Sequence, residues 1–159
     1  MAWWTKAVLA VVLALAASAA GAQEATFVSY REDAGLANLT VRALARDMRG
    51  VLWIGTENGL YRLDGFAIRR EAMPAEAGPE MLEVKIDAAG RLWVGTRRGL
   101  YVGVEEDFGI GRRWSRVDRP GGGLLQVDGM QRLAADAHGG LVVMERDNSL
   151  WRIDAPAAA

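Results

Sequence analysis

Asp47-Met-Arg-Gly-Val-Leu-Trp-Ile-Gly-Thr-Glu-Asn-Gly-Leu-Tyr61 returns 40 residues later as Asp87-Ala-Ala-Gly-Arg-Leu-Trp-Val-Gly-Thr-Arg-Arg-Gly-Leu-Tyr101. Asp, Gly, Leu, Trp, Gly, Thr, Gly, Leu and Tyr recur in register. A unit of that length cannot bury its own apolar face, so copies must stack to share a core. The repeat therefore fixes the architecture before composition enters, and it favours binding or sensing over catalysis.

Each copy reads as short strands parted by turn chemistry. Val41 to Ala45 alternates into Asp47-Met48-Arg49-Gly50, a turn in which Asp can bond amides two residues on and Gly closes the reversal. Val51 to Thr56 is nearly continuous in apolar character, as expected of a strand covered on both faces. Glu57-Asn58-Gly59 is a tight reversal, with residue types that tolerate positive φ at Asn58 and Gly59. Leu60 to Leu63 returns antiparallel, and Asp64-Gly65 leads into an outer strand from Phe66 to Arg70. The second unit repeats this from Leu82, with its outer strand displaced by the insertion Gly103 to Gly111 and resuming near Trp114 to Val117. A third copy is degenerate: Leu133 to Gly139 gives the first strand and turn, Leu141 to Glu145 the central strand, and Leu150 to Ile153 the return. There Val142 replaces Trp, and Met144-Glu145 replaces Gly-Thr. A period near 40 with a tryptophan-centred strand and glycine turns predicts an all-β fold of β-propeller blades, each of four antiparallel strands, about three in number, forming an incomplete propeller. Trp53 and Trp93 each carry roughly 200 Å² of surface needing cover. Gly55 and Gly95 sit in strands, where glycine marks a close approach. Rings facing the glycines of neighbouring blades are the expected core.

The ends divide accordingly. Met1 to Lys6 carries one positive charge, Ala7 to Ala17 is unbroken apolar and small, and Ala20-Gly21-Ala22 fits a small-x-small cleavage site. Residues 1–22 are expected to be a signal peptide, with Gln23 the mature N-terminus and the periplasm the destination. Were the leader retained, it would be a membrane anchor, but the apolar run is short for a span of about 20 residues. Residues 23–40 form a lead-in segment, 41–71 blade one, 72–81 a Pro-containing linker, 82–119 blade two, 120–154 blade three, and 155–159 a disordered tail. Losing Lys6 takes the 19 basic residues to 18 against 20 acidic, a formal charge of −2, which points to no nucleic acid and no anionic membrane surface. The chain has no cysteine, hence neither disulfides nor thiolate metal sites.

Leu52-Trp53-Ile54-Gly55-Thr56 followed by Gly59-Leu60-Tyr61 resembles the two-component regulator propeller repeat. The pattern Asp-x-x-Gly-x-Leu-Trp, an apolar residue, then Gly-Thr-x-x-Gly-Leu-Tyr matches twice in full and once in part. Phe27-Val-Ser-Tyr30, Asp33-Ala-Gly-Leu36, Asn38 and Val41 are similar to the segment that leads into such propellers. The resemblance covers about residues 26–153. It implies a periplasmic sensor region of a bacterial membrane receptor, in which propellers precede a membrane helix and a histidine kinase or diguanylate cyclase output, with ligands that are often saccharides. Trp53, Gly55, Thr56, Gly59, Trp93, Gly95, Thr96 and Gly99 are the structural signature of the repeat, so no ligand residue carries over with it.

The chain departs from that pattern in blade count, because a closed propeller needs about four to eight blades. No second apolar run long enough to cross a membrane follows Ala22, and no kinase or cyclase motif is present. The expectation is an N-terminal piece of a sensing receptor, whose missing partners are further blades, a membrane segment and an output domain. An apolar blade face exposed at each end invites self-association. The alternative is a free-standing periplasmic interaction module that closes by oligomerising. A propeller lyase would need His, Glu, Lys or Tyr groups converging on central strands, and the mature chain offers only His138 and Lys85 of the first and third kinds. His138 reads as a solvated turn residue. Asp47, Asp87 and Asp136 recur at equivalent turns and read as turn-formers rather than catalytic pairs. Asp147-Asn148-Ser149 lacks the spacing of a calcium loop. No cofactor is expected. Arg97-Arg98 replaces Glu57-Asn58 at a loop tip, and this pair is the one candidate for gripping an anionic ligand group.

Overall fold

The computed structural model describes residues 3, 29, 35–36, 40–65, 67–106, 111–118, 130–136, 139–145 and 148–154. The leader apart from Trp3, most of the lead-in, the Pro120–Gly123 connection, His138, Asp147 and the residues after Asp154 lie outside them. The described chain is all-β: eleven strands make three antiparallel sheets in sequence order, two of four strands and one of three. The first holds β1 (Val41–Arg46), β2 (Leu52–Thr56), β3 (Gly59–Asp64) and β4 (Ala67–Glu71). The second holds β5 (Met81–Ile86), β6 (Leu92–Thr96), β7 (Gly99–Glu105) and β8 (Arg112–Val117). The third holds β9 (Met130–Ala135), β10 (Leu141–Glu145) and β11 (Leu150–Ile153). Strands follow one another as neighbours, so each sheet is a meander, and β5 lies against β1 on one side and β9 on the other.

The three units share one register. Ala45 pairs with Trp53, Lys85 with Trp93, and Ala134 with Val142. The first hairpin of every unit carries a bulge at the same place, opposite the step from Thr56 to Gly55, from Thr96 to Gly95, and from Glu145 to Met144. The third unit, with three described strands rather than four, thus keeps the first hairpin of the other two although its Trp and Gly-Thr are gone.

Two apolar clusters hold the units together. Trp53 and Leu60 of the first sheet pack with Met81, Val84, Leu92 and Val94 of the second. Trp93, Leu100, Val102 and Val117 of the second pack with Leu133, Leu141, Val143 and Ile153 of the third. Both tryptophans are buried, as the stacked reading requires. The partners of Gly55 differ from expectation. A Cβ there would sit 2.9 Å from Val84 Cγ2 and 3.1 Å from Met81 Cβ, so the glycine admits the aliphatic side chains of β5 rather than a ring. Covering the tryptophan and admitting the next inner strand are separate tasks on one strand.

Three further details have local causes. Asn58 does not take positive φ; among the described non-glycine residues only Asn148 does, at 64°. The Thr56 hydroxyl donates to Gly59 O (3.0 Å) and accepts from Asn58 N (3.1 Å), closing the reversal so that Gly59 alone carries the unusual backbone, at φ 145°. The second unit's outer strand is set back in sequence, as expected, but the insertion is shorter than Gly103 to Gly111, because β7 runs on through Gly103 and pairs with β8 as far as Glu105 opposite Arg112. The first sheet's far face is largely covered: Ile54, Tyr61 and Ile68 are buried together with Leu36 of the lead-in. Gly35, at φ 98°, makes that approach feasible, since a Cβ there would lie 2.8 Å from Ile68 O.

Candidate functional site

The recurring aspartates organise the turns at one end of the sheets. Asp47 Oδ1 accepts from the amides of Arg49 (3.0 Å) and Val51 (2.9 Å), and Oδ2 from the Trp53 indole (3.3 Å). Asp87 Oδ1 accepts from Ala89 and Arg91 amides at 2.9 and 3.0 Å, and Oδ2 from Arg91 Nε (2.7 Å) and Trp93 Nε1 (2.8 Å). Burial pushes the Asp87 carboxyl upward, but these donors, with the Arg91 charge, outweigh it and hold the group below its ordinary value. In the third unit Asp136 keeps the backbone turn, with its amide 3.0 Å from Gly140 O and Gly139 N 3.1 Å from its carbonyl. With no indole at Val142, Arg152 binds its carboxylate at 2.9 Å, from the position directly across the strand pair. These aspartates are structural acceptors already engaged by donors.

At the opposite hairpins the Gly-Thr-x-x-Gly turns border an open cleft of about 550 Å³ between the first two sheets. It is lined by Gly59, Leu60, Arg70, Glu71, the connection from Ala72 through Ala75, Gly78, Pro79, Met81 and Arg98. The connection holds its place by a single 3-10 turn at Ala75–Ala77, with Ala77 buried. Thr96 repeats the closure of Thr56: its hydroxyl donates to Gly99 O (3.2 Å) and accepts from Arg98 N (3.1 Å). That closure sets Arg98 on the rim, where its side chain lies against Gly78, 3.0 Å from the place a Cβ would occupy.

The structure separates the two arginines that the sequence paired. Arg98 lines the cleft, whereas Arg97 is bound by Glu80, Nε to Oε2 at 2.5 Å, and is not part of the lining. Arg70, which the sequence reading passed over, faces the same cleft while donating to Asn58 O at 2.8 Å. Glu71 lies beside it; burial raises its carboxyl, and the nearby Arg62 and Arg112 only partly pull it back. The local chemistry is two cations at the rim, a half-buried acid, and apolar walls from Leu60, Met73, Pro74 and Met81. Such a site can hold an anionic group against an apolar body. Among the described residues no cluster of three or more His, Cys, Asp or Glu could hold a metal, and no helix is long and apolar enough to cross a membrane.

Arg112 ties the same two sheets further out. Its guanidinium lies over the Trp53 ring, 4.9 Å from the centroid, and donates to Gly103 O at 3.0 Å. Arg49 reaches across to Glu105 at 2.7 Å, and the Trp114 indole donates to Ala72 O at 2.9 Å.

Comparison with known proteins places the repeat. The model of the two component regulator propeller family matches residues 35–58, which span the end of the lead-in through β2 and its turn. The matched segment is similar to that family's repeat, and the register of its first hairpin recurs in the other two units. No curated protein matches the sequence. Among solved structures, the selenomethionine-substituted virginiamycin B lyase from Staphylococcus aureus is similar at 14% identity and a TM-score of 0.47. The match covers 74% of this chain and 42% of the lyase, so the chain spans less than half of that protein's length.

Proposed function

We propose that the chain is an exported, non-catalytic ligand-sensing propeller segment of a bacterial signal-transduction receptor. The observation that carries the reading is the two component regulator propeller repeat at residues 35–58, joined to a structure that spends its recurrent polar residues on turns. The cleft between the first two blades is the ligand site, and Arg98 with Arg70 selects an acidic group, such as the carboxylate of a sugar acid, through bidentate hydrogen bonds. Signalling belongs to further blades, a membrane segment and an output domain of the parent receptor. Calorimetric titration with uronic-acid oligosaccharides and their neutral counterparts tests this. Binding of the acidic series is expected, weakened at least tenfold by Arg98→Ala and little changed by Arg97→Ala. Equal binding of both series, or indifference to Arg98→Ala, rejects the site. Export is tested by intact mass of the periplasmic product, expected to begin at Gln23; a full-length product rejects cleavage.

A further inference from the structure

Glu71, the last residue of β4, is the one acid among the residues lining the cleft, and its carboxylate has no donor. Register pairs it with Leu60 on β3, and cross-strand partners project from the same side of a sheet. Leu60 packs against the second sheet, so Glu71 projects from the first sheet's wall toward the second, whose hairpin supplies Arg98. Its side chain is 12% exposed. The nearest cation, Arg62 Nε on the same face, lies 3.9 Å from Oε2, beyond hydrogen-bond reach, and no described residue donates to either oxygen. Arg112 of β8 and Glu105 of β7 act on it only through space, with opposite signs. Asp87 shows the contrast: it is enclosed more deeply, yet four donors hold it. An enclosed carboxylate without donors is costly, which is why burial raises the Glu71 carboxyl above its ordinary value.

We infer that Glu71 is the specificity-determining residue of the cleft, accepting hydrogen bonds from hydroxyl groups of a ligand whose carboxylate Arg98 holds. The inference rests on the ligand reading above and narrows it to polyhydroxy acids, molecules that carry an anion and several donors on one ring. An ionised carboxylate only accepts, and neighbouring hydroxyls can reach both of its oxygens. An acid without hydroxyls brings a second negative charge toward Glu71 and leaves its oxygens unsatisfied. A neutral sugar satisfies Glu71 but gives Arg98 nothing to bind. Sites built around a polar group discriminate most strongly against analogues that leave that group unpaired.

Calorimetric titrations at neutral pH with glucuronate, cyclohexanecarboxylate and glucose separate the two contributions. The first two share a six-membered ring and a carboxylate, and the first and third share ring hydroxyls. The unmodified chain is expected to bind glucuronate about tenfold or more tighter than cyclohexanecarboxylate, the difference that hydrogen bonds to a charged acceptor provide. Glu71→Leu is expected to erase that preference, weakening glucuronate while cyclohexanecarboxylate binds as before or tighter. Glu71→Gln, which keeps an acceptor and drops the charge, is expected to fall between. Retained cyclohexanecarboxylate binding shows that the cleft of each variant has kept its shape. Arg98→Ala is expected to weaken both acids alike. Equal affinity of the two acids for the unmodified chain, or equal weakening of both by Glu71→Leu, overturns the role of Glu71 and leaves the arginine site standing. Binding of neither acid, or glucose bound as tightly as glucuronate, overturns the ligand reading and this inference with it.

Discussion

At the scale of single residues, the turn aspartates do more than their position suggests. Asp87 has a fully buried side chain and collects four hydrogen bonds, whereas the Asp47 side chain is 11% exposed and collects three, with weaker hold on its indole. Asp87→Ala is therefore expected to destabilise more than Asp47→Ala, by about 2–4 kcal/mol, because it strands buried donors as well as losing charged bonds. Chemical denaturation of the two variants checks the order. The carboxyl's lowered pKa gives a sign as well. The folded group releases its proton more readily than the unfolded one, so its stabilisation is complete above the unfolded value near pH 4 and fades as pH falls through the folded value. Acid titration of Asp87→Asn should show a shallower stability loss below about pH 4 than the unmodified chain. The motif tyrosines behave oppositely. Tyr61 and Tyr101 are buried with no partner for their hydroxyls, and burial raises the Tyr101 hydroxyl's pKa. Tyr101→Phe is expected to leave stability unchanged or raise it by up to about 1 kcal/mol, measured by the same denaturation.

At the scale of the element, β2 and β6 are the working parts of the repeat, and both were legible in the sequence. Tryptophan, glycine and threonine in one five-residue strand report cover, close approach and turn closure respectively. Trp53→Ala or Trp93→Ala is expected to cost about 3–5 kcal/mol through the cavity left between blades. A cost under about 1 kcal/mol would reject the stacking. Gly55→Ala is expected to cost about 1–3 kcal/mol by overpacking against Val84 and Met81, read from the denaturation midpoint. Partners across blades were not legible. The sequence names a glycine and a large ring, but which side chain enters the glycine's space depends on how β5 lies on β2, which no local pattern encodes. The site was read only in part for the same reason. Arg97 and Arg98 are adjacent in a two-residue turn and so diverge, one to Glu80 and the other to the cleft. Arg70 joins Arg98 only because β4 ends beside the next blade's hairpin. The degenerate third unit was recognisable because its Asp turn survived, and Arg152 shows how that turn outlasts its tryptophan.

At the scale of the whole molecule, cohesion runs from blade to blade rather than within each one. Both large clusters straddle two sheets, so among the described sheets the second has a sheet on both faces while the first and third each pack against the second alone. Every residue of β6 is buried, and its amides are expected to exchange slowest with solvent, ahead of β1 and β11 at the two ends. The bridges outside the clusters add orientation more than stability. Arg49→Ala, removing an exposed link to Glu105, should change stability by under about 1 kcal/mol, whereas Arg112 sits half enclosed over an indole and matters through packing as well as charge.

The hydrogen atom that stands in for a side chain at Gly55 has a geometric consequence. It lets Met81 and Val84 come almost into contact with the backbone of β2, which sets the thickness of that wedge of the arc. Met144 occupies the same place on β10, so the third sheet lacks the gap that admits an inner strand so closely at the first. How near two neighbouring blades can come is thus limited by the side chain at one position on each central strand.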